Sequence, residues 1–200
     1  MRSTARIEIC GGIASGKTTL ARLLAQETQC GLVLEDFRAN PFWKRFYQHP
    51  EIFRHEKDVC FLAQHSGGIK NADQPLVVCD YAVIQDLAYA ALSDSREHLL
   101  VMQQLYRHLY GAIPTPTLIV HLVCNESDLL ARIRARGRSE EGSITAAYLA
   151  ALNRKITEVL ASTDTPILTV RSDAINFAAD QRAALELKNQ LLTHLVKLTT

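Results

Sequence analysis

The chain has 200 residues, 48% of them hydrophobic and 22% charged, which suits one globular domain with a full core and excludes global disorder. Lys and Arg number 22 against 21 Asp and Glu, a formal net charge of +1, so no general attraction to nucleic acid or to an anionic membrane is expected. No apolar run approaches the roughly 20 residues of a membrane helix, and Glu8 with Gly11-Gly12 interrupts the N-terminal apolar segment before it resembles a signal-peptide core, so a cytoplasmic location is expected.

Short β-branched or apolar runs alternate with longer helical patterns, the signature of βαβ units and a parallel sheet. Arg6 to Cys10 reads as the first strand, followed by a glycine-rich turn and a helix from Lys17 to Gln29. Leu32-Val33-Leu34 reads as a short second strand that delivers Glu35 and Asp36. Pro41 to Tyr47 is aromatic-rich and helical, and Pro50 to Gln64 is a longer helix that Gly67-Gly68 is expected to end. Pro75 to Cys79 is a buried strand with Asp80 at its end, and two helices fill Val83 to Tyr110. Thr117 to Val123 is the fourth strand and Glu126 to Arg136 a helix stopped by Gly137. A helix over Thr145 to Leu160, a strand over Pro166 to Val170 and an amphipathic helix from Asn176 to Lys197 complete the pattern. The five cysteines form no C-x-x-C pair and the seven histidines no H-x-H or H-x-x-x-H pair, so buried reduced thiols are expected rather than disulfides or a zinc site.

Ligands of such open α/β sheets bind beyond the carboxyl ends of the strands, where Gly11, Glu35, Asp80 and Asp173 fall. Gly11-Gly12-Ile13-Ala14-Ser15-Gly16-Lys17-Thr18 fits G-x-x-x-x-G-K-[ST], the phosphate loop. Its glycines let successive N–H groups point at phosphate oxygens, and the following helix adds its positive end. Lys17 is a point charge for the β and γ phosphates, and the Thr18 hydroxyl is a ligand for Mg²⁺. Asp80, ending a buried strand, suits a second Mg²⁺ contact as well as a helix N-cap. Glu35 falls where a general base would face the γ-phosphate if the strand order holds, and is otherwise an exposed residue. Arg132, Arg134, Arg136 and Arg138 form a dense basic cluster. Arg132 and Arg136 share one helix face and Arg134 lies off it. Beside a phosphate loop the cluster reads as a mobile arginine lid hinged at Gly137 and Gly142, and otherwise as a solvated face paired with Glu140 and Glu141.

Together these features resemble the deoxynucleoside kinase family over most of the chain. Glu35, Asn40-Pro41-Phe42, and Phe46-Tyr47-Gln48-His49-Pro50 are similar to the family's Glu…Asn-Pro-(apolar)…Tyr-Tyr-x-x-Pro segment. Arg132 to Glu141, with Tyr148-Leu149 and Leu152 after it, resembles the family's lid and following helix, and Val170 to Phe177 its last strand and adenine loop. The resemblance implies an α/β P-loop kinase fold, a five-stranded parallel sheet flanked by helices with an arginine-rich lid at about 132–143, in one domain spanning 1–200. It implies an ATP-dependent kinase of a nucleoside or deoxynucleoside 5′-hydroxyl, with Mg²⁺ as cofactor. Glu35 would be the base, and Tyr47 and Glu141 would hold the sugar 3′-hydroxyl. Asp80 would assist Mg²⁺, and Arg132, Arg136 and Arg138 would grip phosphates. Asp86 would lie in the base pocket. ATP contacts would extend to Thr19 and to Asp173, Ile175 and Asn176. It also implies a homodimer, with the apolar stripe between Val83 and Tyr110 serving either that interface or the internal core.

Three departures stand out. The family usually has Arg directly after the strand-end acid, where this chain has Asp80-Tyr81-Ala82. The family's base-reading Gln falls on Asp58, and a further Arg on His65. An ionised Asp58 only accepts hydrogen bonds, which suits the N1–H and N2–H₂ edge of guanine; the plainer reading leaves Asp58 exposed. If buried, it needs a partner, and His65, two helical turns on, is the expected one. The alternatives are a thymidylate kinase-like monophosphate kinase, or a nucleotide-binding regulator that has lost catalysis.

Overall fold

The computed structural model describes residues 5–175 and 181–199. Its five strands are β1 (Ala5–Gly11), β2 (Gly31–Val33), β3 (Leu76–Cys79), β4 (Leu118–Val123) and β5 (Ile167–Arg171), all parallel, in the order β2-β3-β1-β4-β5. The helices are α1 (Lys17–Thr28), α2 (Trp43–Gln48), α3 (Pro50–Lys70), α4 (Gln85–Ala90), α5 (Arg96–Tyr110), α6 (Glu126–Arg136), α7 (Ala146–Leu160) and α8 (Gln181–Thr199). Short 3₁₀ turns cover Phe37–Ala39 and Ser139–Ser143.

Alternation along the strands assigns the two faces. Ile7 and Ile9 of β1 point toward Leu20, Ala21 and Leu24 of α1 and toward Leu187 and Leu191 of α8. On the other face Cys10 and Ile119 meet Leu152, Ile156 and Leu160 of α7. Val77 and Cys79 of β3 pack with Leu62 and Ile69 of α3 and Met102 and Tyr110 of α5. Being covered on both faces is why β4 reads as a near-continuous apolar run; β1 carries Arg6 and Glu8, buried and paired at 2.8 Å. Within the described residues the expected elements are present, with one correction; the expected start of the last helix at Asn176 lies outside them. Gly67-Gly68 does not end α3, which runs on to Lys70. A Cβ on Gly68 would stand 2.9 Å from the Tyr81 hydroxyl and 3.0 Å from Val33 Cγ1. The missing side chain lets the helix approach the strand ends closely; it is not a stop signal.

All five cysteines are free. No described helix is long and apolar enough to cross a membrane. The α5 stripe is divided: His98, Met102 and Tyr110 are buried, while Leu100 and Val101 are exposed.

Candidate active site

A cleft of about 540 Å³ lies beyond the carboxyl ends of β1, β2 and β3. The phosphate loop forms one wall. At its start Gly11 has φ +149°, and a Cβ there would meet Leu122 O at 2.6 Å, so only glycine lets β1 turn beside β4. Gly16 (φ 102°) caps α1 and Ala14 takes φ 63°, a conformation costly for a residue with a side chain. Lys17 Nζ donates to the carbonyls of Gly11 (2.9 Å) and Gly12 (3.0 Å), which folds the lysine back over the loop. Burial pulls its ammonium pKa down, with Glu35 and Asp80 opposing. The buried Ser15 hydroxyl has no protein partner. An orphaned hydroxyl donor on the phosphate loop fits a phosphate oxygen.

Asp80 joins the donor side to the acceptor side. Its Oδ2 accepts from the Thr18 hydroxyl and its Oδ1 from the Glu35 backbone N–H, both at 2.6 Å. Burial pushes the Asp80 carboxyl up, and the Thr18 bond opposes that. A hydroxyl beside a carboxylate is an oxygen-only donor set, which suits Mg²⁺ completed by phosphates and water.

Glu35 lines the open cleft and is reached by solvent through it. Its Oε2 is 3.3 Å from His65 Nε2, an ion-pair contact without hydrogen-bond alignment. Burial raises the Glu35 pKa, but the His65 contact and charge, with Lys17 and Lys57, outweigh it and the net shift is downward. His65 Nδ1 bonds Asp86 Oδ2 at 2.8 Å. Burial disfavours the His65 cation, but Asp86 and Glu35 more than offset that and raise its pKa to about 10. Tyr81, standing where the family has Arg, stacks on His65 with ring centroids 3.9 Å apart and donates to the His65 carbonyl at 3.0 Å. The residue that replaces the missing charge therefore braces an imidazolium.

The expected Asp58–His65 pair does not form. Asp58 is buried, with Oδ1 on Lys57 Nζ (2.6 Å) and Oδ2 on His98 Nε2 (2.9 Å). Seven residues of helix rise about 10 Å, too far for direct contact, and His65 is taken by groups from two other elements.

The arginine segment closes the opposite side. Arg132 donates to the Ser172 carbonyl (2.6 Å) and reaches Ser15 O (3.5 Å), joining α6 to β5 and the phosphate loop. Arg136 and Arg138 converge on the buried Glu141; Arg138 Nη1 is 3.1 Å from Glu141 Oε1 and its guanidinium stacks 4.1 Å over Phe37. Arg132, Arg136 and Arg138 line the cleft and Arg134 is exposed outside it, as their spacing implies. Gly137, with φ 67°, ends α6.

Ile13 to Thr19, Glu35, Tyr47, Asp58, Asp80, Asp86 and Glu141 all line the same cleft. Gly11 and Gly12 lie behind it as Lys17 acceptors. Asp173 and Ile175 do not line it. Asp173 is held by Arg171 (2.9 Å) and Asn125 (3.2 Å), and Ile175 packs on the core. Asn176 lies outside the described residues. Gln85 went unread in the sequence: its Oε1 accepts from the Gly11 N–H (2.8 Å) and the Cys10 thiol (3.0 Å), fixing the start of the phosphate loop. Lys57 and His98 were also missed, since a helical lysine and a lone histidine carry no signal by themselves.

The deoxynucleoside kinase family profile matches residues 7–197. The chain belongs to the deoxynucleoside kinase family. It is accordingly a phosphotransferase. It is 26% identical over 193 residues to the deoxyguanosine kinase of Bacillus subtilis (strain 168), covering 90% of this chain and 93% of the relative. It is 25% identical to the deoxyadenosine kinase of Dictyostelium discoideum, covering 91% of this chain and 77% of that one. The fold matches the structure of deoxyadenosine kinase from M. mycoides with bound dCTP, with a TM-score of 0.79 at 19% identity, covering 94% of this chain and 99% of that one. Neither the monophosphate-kinase nor the inactive-regulator alternative is favoured by this membership.

Proposed function

We propose that this kinase transfers the γ-phosphoryl group of ATP to the 5′-hydroxyl of a deoxynucleoside, with Mg²⁺. The observation that carries the reading is Asp80, whose two carboxylate oxygens tie the phosphate loop to the backbone of Glu35. This link holds donor and acceptor groups in one frame, and positioning is most of what phosphoryl transfer asks of a protein.

The phosphate loop N–H groups and Lys17 bind the triphosphate. Thr18 and Asp80 would hold Mg²⁺, which when bound neutralises charge on the β and γ oxygens. The Glu35 carboxylate accepts the 5′-hydroxyl proton as that oxygen bonds to the γ-phosphorus. The bond from phosphorus to the β–γ bridging oxygen breaks, and ADP carries away the electron pair. Tyr47 and Glu141 orient the sugar, and Arg136 and Arg138, released from Glu141 as a lid closes over 132–143, take up charge on the transferring group. Thr19 borders the ATP site. Exposed Leu100 and Val101 of α5, with Ile52 of α3, offer apolar surface for a homodimer.

The test is steady-state turnover with Mg²⁺·ATP and a panel of deoxynucleosides. Lys17→Ala should cut turnover by at least about 100-fold while thermal stability stays nearly constant, because the lysine acts on transition-state charge. Near wild-type turnover in Lys17→Ala would remove the basis of this reading.

A further inference from the structure

Lys57 and Asp58 are neighbours on α3. Both line the cleft, yet they are only 6% and 3% exposed. A buried ion pair adds little to stability, because desolvation offsets its attraction; this one faces the ligand space. Lys57 Nζ donates to Asp58 Oδ1 at 2.6 Å and sits 4.3 Å over the Phe46 ring and 5.2 Å over the Tyr89 ring. On its far side Asp58 accepts from His98 Nε2 at 2.9 Å, and His98 Nδ1 pairs with Nδ1 of the exposed His55. Burial pushes the Asp58 carboxyl up, but the Lys57 charge and the bonds from His98 and Lys57 outweigh it, so it stays ionised. An ammonium has three N–H donors and Asp58 uses one; each carboxylate oxygen retains a free lone pair. Asp58 is fixed from both sides, so the cleft wall presents a charged donor beside a charged acceptor.

Building on the deoxynucleoside kinase reading above, we propose that Lys57 and Asp58 read the acceptor base as a pair and select the lactam edge, a ring carbonyl beside a ring N–H, with His98 as the residue that positions Asp58. Guanine and hypoxanthine present O6 to Lys57 and N1–H to Asp58. Uracil and thymine present O4 and N3–H in the same order. Adenine turns an amino group toward the ammonium and a lone pair toward the carboxylate, and cytosine does the same. Each mismatch then sets an amino donor against the buried ammonium and a ring lone pair against the buried carboxylate, a repulsion that rejects far more strongly than a missing methyl group does. The pair thus separates oxo from amino bases within each ring size.

The experiment measures kcat/KM, and binding by calorimetry, for deoxyguanosine, deoxyinosine, deoxyadenosine, deoxyuridine and deoxycytidine. In the wild type deoxyguanosine and deoxyinosine should exceed deoxyadenosine, and deoxyuridine should exceed deoxycytidine, each by at least about 100-fold. Lys57→Met keeps the apolar stem without the donor and should lower the oxo bases about 10- to 100-fold, compressing the ratio. His98→Ala should raise KM for deoxyguanosine about tenfold with kcat and the ATP KM within a few-fold. His98→Gln, which can still donate to Asp58, should restore it. Should a variant not fold, the wild-type order alone decides. Turnover that favours deoxyadenosine or deoxycytidine, or an unchanged ratio in folded Lys57→Met, overturns the pair while leaving the kinase reading intact. A wild type that neither binds nor phosphorylates any deoxynucleoside overturns the kinase reading, and this inference with it.

Discussion

Gln85 is the sharpest structural lever on the phosphate loop. The residue is 5% exposed, and its carbonyl oxygen accepts both the Gly11 N–H and the Cys10 thiol. Gln85→Ala leaves the Gly11 N–H buried and unpaired, a loss of about 1 to 3 kcal/mol. Losing the packed stem adds about 1 kcal/mol. The total of about 2 to 4 kcal/mol corresponds to a fall in Tm of roughly 5 to 15 °C at this chain length. Gln85→Met fills the space without the acceptor, so it should lose the hydrogen-bond share and recover the packing share. Because Gly11 opens the loop that receives the triphosphate, KM for ATP should rise in both variants more than KM for the nucleoside. The assay is a melt by circular dichroism alongside steady-state kinetics. A Tm within about 1 °C of wild type and an unchanged ATP KM in Gln85→Ala would refute the assigned clamp.

Two further outcomes follow from the cleft. Arg136→Ala should lower turnover by at least about tenfold through lost charge stabilisation at the transferring phosphoryl, whereas the exposed Arg134→Ala should stay within about twofold; equal losses in the two kinetic assays would contradict the face assignment. Burial disfavours the His65 cation, but Asp86 and Glu35 outweigh it and raise the His65 pKa from the ordinary 6.5 to about 10. Its charge therefore stabilises the fold fully below about pH 6.5, and that contribution is lost as pH rises through about 10. Urea midpoints measured from pH 6 to pH 10 should fall in the wild type, and His65→Gln should remove part of that slope; parallel curves would show that His65 does not hold its proton against Asp86 and Glu35.

What the sequence disclosed depended on how local each signal was. The phosphate loop was legible because its chemistry is carried by backbone within one strand, one turn and one helix start. The position of Asp80 was legible because a buried strand beside a phosphate loop brings its terminal carboxylate up to that loop, where it meets Thr18. Gly68 misled because glycine both breaks helices and permits close approach, and only the Tyr81 and Val33 atoms above it separate the two roles. Asp58 was read without its partner because His98 lies forty residues away on α5. His65 was given to Asp58 by helical face alone, when the rise along the axis put it beside Asp86 and Glu35 instead. Gln85 carried no sequence signal at all, since an uncharged amide becomes functional here only through the backbone it meets.

The most direct measurement of the central claim is product analysis after incubation with Mg²⁺, ATP and one deoxynucleoside. ADP and a deoxynucleoside 5′-monophosphate should form in a one-to-one ratio, and both should be lost together in Lys17→Ala and in Glu35→Gln. ADP released without a nucleotide product, or phosphate found on the 3′-hydroxyl, would contradict it.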